Sequence, residues 1–143
     1  MALSPPEPRT VVTYGIEPDL DVAEFRRVLV ESGLAPRRPA DDLARLETML
    51  AAADLVVTAR RDGALVGVAR TLTDFSFCAY LSDLAVCRSA QGLGIGQGLI
   101  AATREAIGPQ ASLLLTAAPD AITFYERIAM PRVPDAFRYD REA

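Results

Sequence analysis

The residues whose spacing could do chemistry stand at Gln91-Gly92-Leu93-Gly94-Ile95-Gly96-Gln97-Gly98, directly after the apolar run Leu84-Ala85-Val86. An apolar run, then glycine at every second position, then a helical pattern is how a chain builds an anion site. Several backbone N–H groups and the positive end of a helix dipole meet at one point, and glycine lets a phosphate approach the backbone. A phosphate-bearing ligand is expected here. The chain has no histidine, so Ser-His and Cys-His nucleophilic systems and histidine-ligated metals are ruled out. Any acid or base must come from carboxylates, tyrosine, cysteine or water. No metal is expected.

Positioning such a loop takes a buried strand before it and an amphipathic helix after it. Cys78 to Val86 reads as that strand, and Leu99, Ile100, Thr103 and Ile107 line one side of a helix that Gly108-Pro109 ends. Upstream, Thr10 to Ile16 is a β-branched first strand. Asp19 or Asp21 caps a helix with Val22, Phe25 and Leu29 on one face, and Gly33 stops it. Leu34 to Ala40 reads as a loop in which Arg37 and Arg38 could face a ligand at a site rim but are read as solvated surface cations and left out of the site. A second helix opens at Asp41-Asp42, with Leu43, Leu46, Leu50 and Ala53 in one stripe. Leu55 to Arg60 and Ala64 to Thr73 form a hairpin on Asp62-Gly63, and Asp74-Phe75-Ser76-Phe77 turns the chain into the strand before the glycine loop.

Downstream, Ala111 to Ala117 carries Leu113-Leu114-Leu115 without polar alternation. Burial on both faces predicts a central strand, running parallel to the fourth strand and beside Val86. Pro119 starts a helix bearing Ala121, Phe124, Tyr125 and Ile128, and Met130 to Tyr139 has room for one or two short final strands. The fold class is therefore mixed α/β (α+β) in the order β-α-α-β-β-β-α-β-α-β. Met1 to Arg9, with Pro5, Pro6 and Pro8, reads as a flexible leader, and residues 10–143 as one domain.

Composition limits the function classes. A length of 143 residues supports a single core, and a net charge of −4 argues against nucleic-acid binding while fitting a cationic substrate. No stretch has the length to span a membrane, and the N-terminus lacks a basic-then-apolar signal, so a cytoplasmic protein is expected. Cys78 and Cys87 fall in one extended strand, too far apart for a disulfide at about 3.3 Å per residue. They are expected as buried or half-buried free thiols of a reducing compartment.

Two nucleotide loops fail on residues. The glycines at 92, 94, 96 and 98 never satisfy Gly-x-Gly-x-x-Gly, and no Gly-Lys-Ser/Thr closes a nucleoside-triphosphate loop. What the stretch does match is the Gln/Arg-x-x-Gly-x-Gly/Ala loop: Gln91 to Gly96 resembles that of the GNAT acetyltransferase superfamily. Ala121-Ile122-Thr123-Phe124-Tyr125-Glu126-Arg127 is similar to the same family's Ala-x-x-Phe/Leu-Tyr-Glu-Lys stretch. The resemblance spans Leu65 to Met130.

The resemblance implies a GNAT fold, with a mostly antiparallel sheet whose fourth and fifth strands are parallel and splay apart. It also implies an acetyl-CoA-dependent N-acetyltransferase acting by direct attack of an amine in a ternary complex. Backbone N–H groups of Leu93, Gly94, Ile95, Gly96 and Gln97 would hold the pyrophosphate of coenzyme A, with Gln91 and Gly92 shaping the turn. The segment Leu84, Ala85, Val86 would pair with the pantetheine arm through the backbone of Leu84 and Val86, and the Leu84 N–H would polarise the acyl carbonyl. Tyr125 would protonate the departing thiolate, or else pack its ring with its hydroxyl bonded locally. Asp83 would take the amine proton through water or attract a cationic amine, or else point away as a structural carboxylate. Cys87 as an acyl-carrying nucleophile is disfavoured by its place at the pyrophosphate end.

Departures from the family pattern are Ala118, where many members carry asparagine, and Ala129-Met130 in place of Gly-Phe. The short, proline-interrupted C-terminus leaves an acceptor pocket open on one side or completed by a second subunit as a homodimer. The acceptor is a small-molecule or peptide amine. A non-catalytic acyl-CoA-binding or sensing domain of the same fold stays open as the alternative.

Overall fold

The computed structural model describes residues 11–143; the leader expected at 1–9, and Thr10, lie outside them. Five strands form one sheet in the order β1-β2-β3-β4-β5, where β1 is Val12–Ile16, β2 Leu55–Arg61, β3 Ala64–Thr73, β4 Cys78–Val86 and β5 Ser112–Leu114. All neighbours are antiparallel except β4 and β5, which are parallel. Helices α1 (Val22–Ser32) and α2 (Leu43–Ala52) precede β2, α3 (Ile95–Ile107) joins β4 to β5, and α4 (Ile122–Arg127) follows a 3₁₀ turn at Pro119–Ala121.

Local chemistry accounts for the boundaries. Gly33 ends α1 at φ 87°, a left-handed conformation glycine adopts without a Cβ penalty. The Asp42 side chain accepts from the Arg45 N–H at 3.1 Å and caps α2, whereas Asp21 occupies the α1 cap position without a side-chain bond. Asp62 and Gly63 both have positive φ, as a tight hairpin turn between right-twisted strands requires. At the next turn the Asp74 carboxylate accepts the N–H groups of Ser76, Phe77 and Cys78 at 2.8 to 3.1 Å, which holds its carboxyl down to about 2.

The sheet is sandwiched. On one face Phe25, Leu29 and Leu46 of α1 and α2 pack on Val56, Leu65, Val68 and Ala85; on the other, Ile95, Leu99 and Ile107 of α3 pack on Val57, Ala69 and Leu81. In β4, Leu81 and Ala85 thus serve opposite cores although four positions apart. The register supplies the reason: Arg70 pairs with Asp83 and Thr71 with Leu81, so Ser82 is an extra residue. A bulge of this kind flips the alternation and bends the strand.

Two expectations change. The strands buried on both faces are β2 and β3, while β5 is a three-residue edge strand. Its Leu113 packs toward α3 but Leu114 is exposed, so the leucine run does alternate. Nor does β5 lie beside Val86: it pairs with Cys78, Ala79 and Tyr80 only. The expected final strand is also missing among the described residues. Pro131 and Pro134 lack ladder donors, and Phe137 and Tyr139 are fully exposed.

Because fully buried Leu99 ties α3 to the sheet, Leu99→Ala is expected to cost about 2–5 kcal/mol. Urea unfolding measures this directly, and a loss well under 1 kcal/mol would contradict the packing described.

Candidate active site

The site starts at the free edge of β4. The Cys87 N–H donates to the Val66 carbonyl of β3 at 2.8 Å, and strand alternation then turns the N–H and C=O groups of Leu84 and Val86 the other way. With β5 pairing only as far as Tyr80, those groups face a gap. The Gln91 side chain donates back to the Val86 carbonyl at 3.1 Å and anchors the start of the loop on the strand end.

The four loop glycines divide by cause. Gly92 and Gly94 stand at φ 84° and 76°, and a Cβ at either would meet open space. They are there for backbone conformation. Gly96 and Gly98 are there for packing: a Cβ on Gly96 would come within 2.9 Å of the Phe124 ring, and one on Gly98 within 2.2 Å of the Tyr14 hydroxyl. Among the described residues, no backbone N–H from Gly92 to Gln97 has an acceptor. With Gly94 capping the thirteen-residue α3, these donors and the helix dipole point at one place, which suits an anion.

A cleft of about 620 Å³ joins the β4 edge, the loop and α4. Of the residues expected at the site, Leu84, Ala85, Val86, Gln91, Gly92, Gly94, Ile95, Gly96, Gln97 and Tyr125 line it. Leu93 does not; its side chain is exposed. Ala118 lines the wall and adds no polar side chain there. The Tyr125 ring is half-buried and meets Phe124 edge-to-face at 5.0 Å. Burial raises its phenol above the ordinary 10.0, with the Arg38 charge pulling partly back.

Asp83 lies elsewhere. Its carboxylate is fully buried on the α1–α2 face, with one oxygen bonded to Arg38 and the other to Arg70. It does not line the cleft. Arg38, expected as a solvated surface cation, is instead drawn in by this buried charge, and Arg37 lines the cleft wall together with Arg88 and Arg127. An ion pair spanning forty-five residues leaves no local pattern to read; the one available signal was an aspartate inside an apolar strand, which demands a cation. Among the described residues no group of three or more His, Cys, Asp or Glu is placed to hold a metal, and no helix is long and apolar enough to cross a membrane.

Residues 37–130 match the family model described as an acetyltransferase (GNAT) domain. The chain belongs to the GNAT acetyltransferase family. Solved structures agree on the fold. A GNAT-family acetyltransferase from Streptococcus pneumoniae superposes with a TM-score of 0.68 at 19% identity, over 92% of this chain and 100% of that one. An aminoglycoside N-acetyltransferase, AAC(6')-Iy, solved in complex with CoA, gives 0.71 at 18% over 96% and 99%. A ribosomal-protein-alanine N-acetyltransferase from Brucella melitensis gives 0.66 at 22% over 93% and 100%. No curated protein sequence matches the chain significantly.

In this GNAT domain the two thiols differ sharply. Cys78 is exposed, contrary to the expectation of burial, because it sits at the hairpin end of β4. Cys87 is buried, and burial together with its hydrogen bond to Glu31 at 3.3 Å pushes its thiol up to about 11. A thiol reagent at about pH 8 is therefore expected to modify Cys78 alone in the folded protein. Mass spectrometry reads the outcome, and equal labelling of both would contradict it.

Proposed function

We propose that this GNAT domain transfers the acetyl group of acetyl-CoA to a primary amine of a small molecule or peptide, by direct attack in a ternary complex. The observation that carries the reading is the continuity of the free β4 edge, the unpartnered N–H groups from Gly92 to Gln97 and Tyr125 along one cleft. The residues fit such a ligand: open space at Gly92 and Gly94, a cleft of about 620 Å³ lined by the free β4 edge, and donors for a pyrophosphate.

Acetyl-CoA supplies an acyl group activated as a thioester. The loop N–H groups bind the pyrophosphate, and the backbone of Leu84 and Val86 pairs with the pantetheine arm as a further strand. The Leu84 N–H polarises the acyl carbonyl. As the amine nitrogen bonds to the acyl carbon and the carbon–sulfur bond breaks, Tyr125 gives its proton to the thiolate, and the amine proton leaves through water. Asp83 is not assigned the base role, because both its oxygens already accept from arginines. The free thiols Cys78 and Cys87 suit a reducing, cytoplasmic setting.

A phenol held above its ordinary value stays protonated through neutral and mildly basic pH, so kcat should not fall on the basic side below about pH 10. Tyr125→Phe should lower kcat by about 10²–10⁴-fold with CoA affinity retained. Free-thiol release from acetyl-CoA over a panel of amines, in parent and variant, checks this. CoA binding without turnover in the parent would instead establish a non-catalytic acyl-CoA-binding domain.

A further inference from the structure

The buried ion cluster at the bulge of β4 holds more charge than the sheet requires. Arg70 stands directly across from Asp83 in the β3–β4 ladder, is itself buried, and alone would neutralise that carboxylate. Arg38 arrives from outside the sheet, on the connection between α1 and α2, and puts a second guanidinium on the same group. Its remaining donors show what the second guanidinium does. Arg38 Nη2 donates to the Ser82 carbonyl at 2.6 Å, and Nη1 to the Arg37 carbonyl at 2.8 Å. Ser82 is the inserted residue, and an inserted residue is left outside the ladder. Arg70 Nη2 takes up the Ser82 hydroxyl at 2.9 Å. Two arginines thus hold the carbonyl, the hydroxyl and both carboxylate oxygens of the two residues immediately before Leu84.

We propose that Arg38 is a positioning residue for acyl transfer: by clamping Ser82 and Asp83 it holds the bulge in the conformation that aims the Leu84 N–H and C=O into the gap between β4 and β5. The inference deepens the acetyl-transfer reading and rests on it. Arg70 belongs to the sheet and serves its stability. Arg38, partly exposed and next in the chain to the cleft-lining Arg37, ties the α1–α2 connection to the reacting end of the strand. Lysine cannot reproduce this, because one ammonium lacks the planar fork that spans a carboxylate and a carbonyl together.

The test uses the full chain with Arg38→Gln and Arg38→Lys, reading kcat, CoA affinity, urea unfolding and the Leu84 amide signal of nitrogen-15-labelled protein. In Arg38→Gln, kcat should drop by about 10²-fold, the scale of a misplaced reacting group, with CoA affinity falling far less because the glycine loop that holds the pyrophosphate is untouched. The Leu84 signal should move or broaden while those of Gly92 to Gln97 stay in place, and Arg38→Lys should recover part of both. An unchanged kcat with an unmoved Leu84 signal would overturn the proposal. So would equal losses in kcat, CoA affinity and unfolding free energy, which mark a merely structural arginine. If the parent protein acetylates no amine, the acetyl-transfer reading fails by that result, and the Leu84 signal alone then decides whether Arg38 holds the bulge. If Arg38→Gln does not fold, the Arg38→Lys comparison carries the same readouts.

Discussion

The structure depends on β4 being bonded along its length to one neighbour and over only three residues to the other. A strand in the interior of a sheet normally spends every N–H and C=O on its two partners. Here the inserted Ser82 bends β4, and past Tyr80 the main-chain groups of Leu84 and the Val86 N–H face no neighbouring strand. The same insertion reverses which core each side chain serves, so Leu81 packs under α3 and Ala85 under α1. Opening the gap and closing the two cores are consequences of one extra residue.

That residue stands in the most highly charged part of the interior. Burying a carboxylate is costly unless it is paired and hydrogen-bonded, and losing one partner of such a pair typically destabilises more than the pair contributes. Asp83 therefore compels arginines around it, and the arginines in turn immobilise the backbone. At the other end of the gap, immobility comes from packing. Gly96 admits the Phe124 ring against the first turn of α3, and Phe124 meets Tyr125 edge-on. A glycine of the anion loop is thus what lets α4, and with it the tyrosine, approach that loop.

Local signals carried most of the fold. Asp62-Gly63 marked its hairpin, Gly33 its helix end, and the glycine loop and the tyrosine helix marked the family from residues alone. The misreadings share a physical origin in long-range pairing. Leu113-Leu114-Leu115 reads as doubly buried because a run of leucines does not reveal that the sheet stops there, one leucine facing out. Arg38 reads as a surface cation because its partner is far along the chain. Asp83 reads equally as a base or as a structural carboxylate, because nothing near it in the chain reveals the arginines bonded to its two oxygens. The expected final strand shows the converse: its aromatic residues alternate, but two prolines stand in the segment that would have to reach the β5 edge.

The central claim is that the free edge of β4 and the open N–H groups of the glycine loop bind one extended ligand, the pantetheine and pyrophosphate of coenzyme A. Titrating nitrogen-15-labelled protein with CoA and following backbone amide signals tests it most directly. Saturable shifts are expected at Leu84, Val86 and the run from Gly92 to Gln97, with the α1–α2 core unmoved. Shifts confined to other residues, or none at CoA concentrations in the millimolar range, about where binding is worth only 4 kcal/mol, would contradict it.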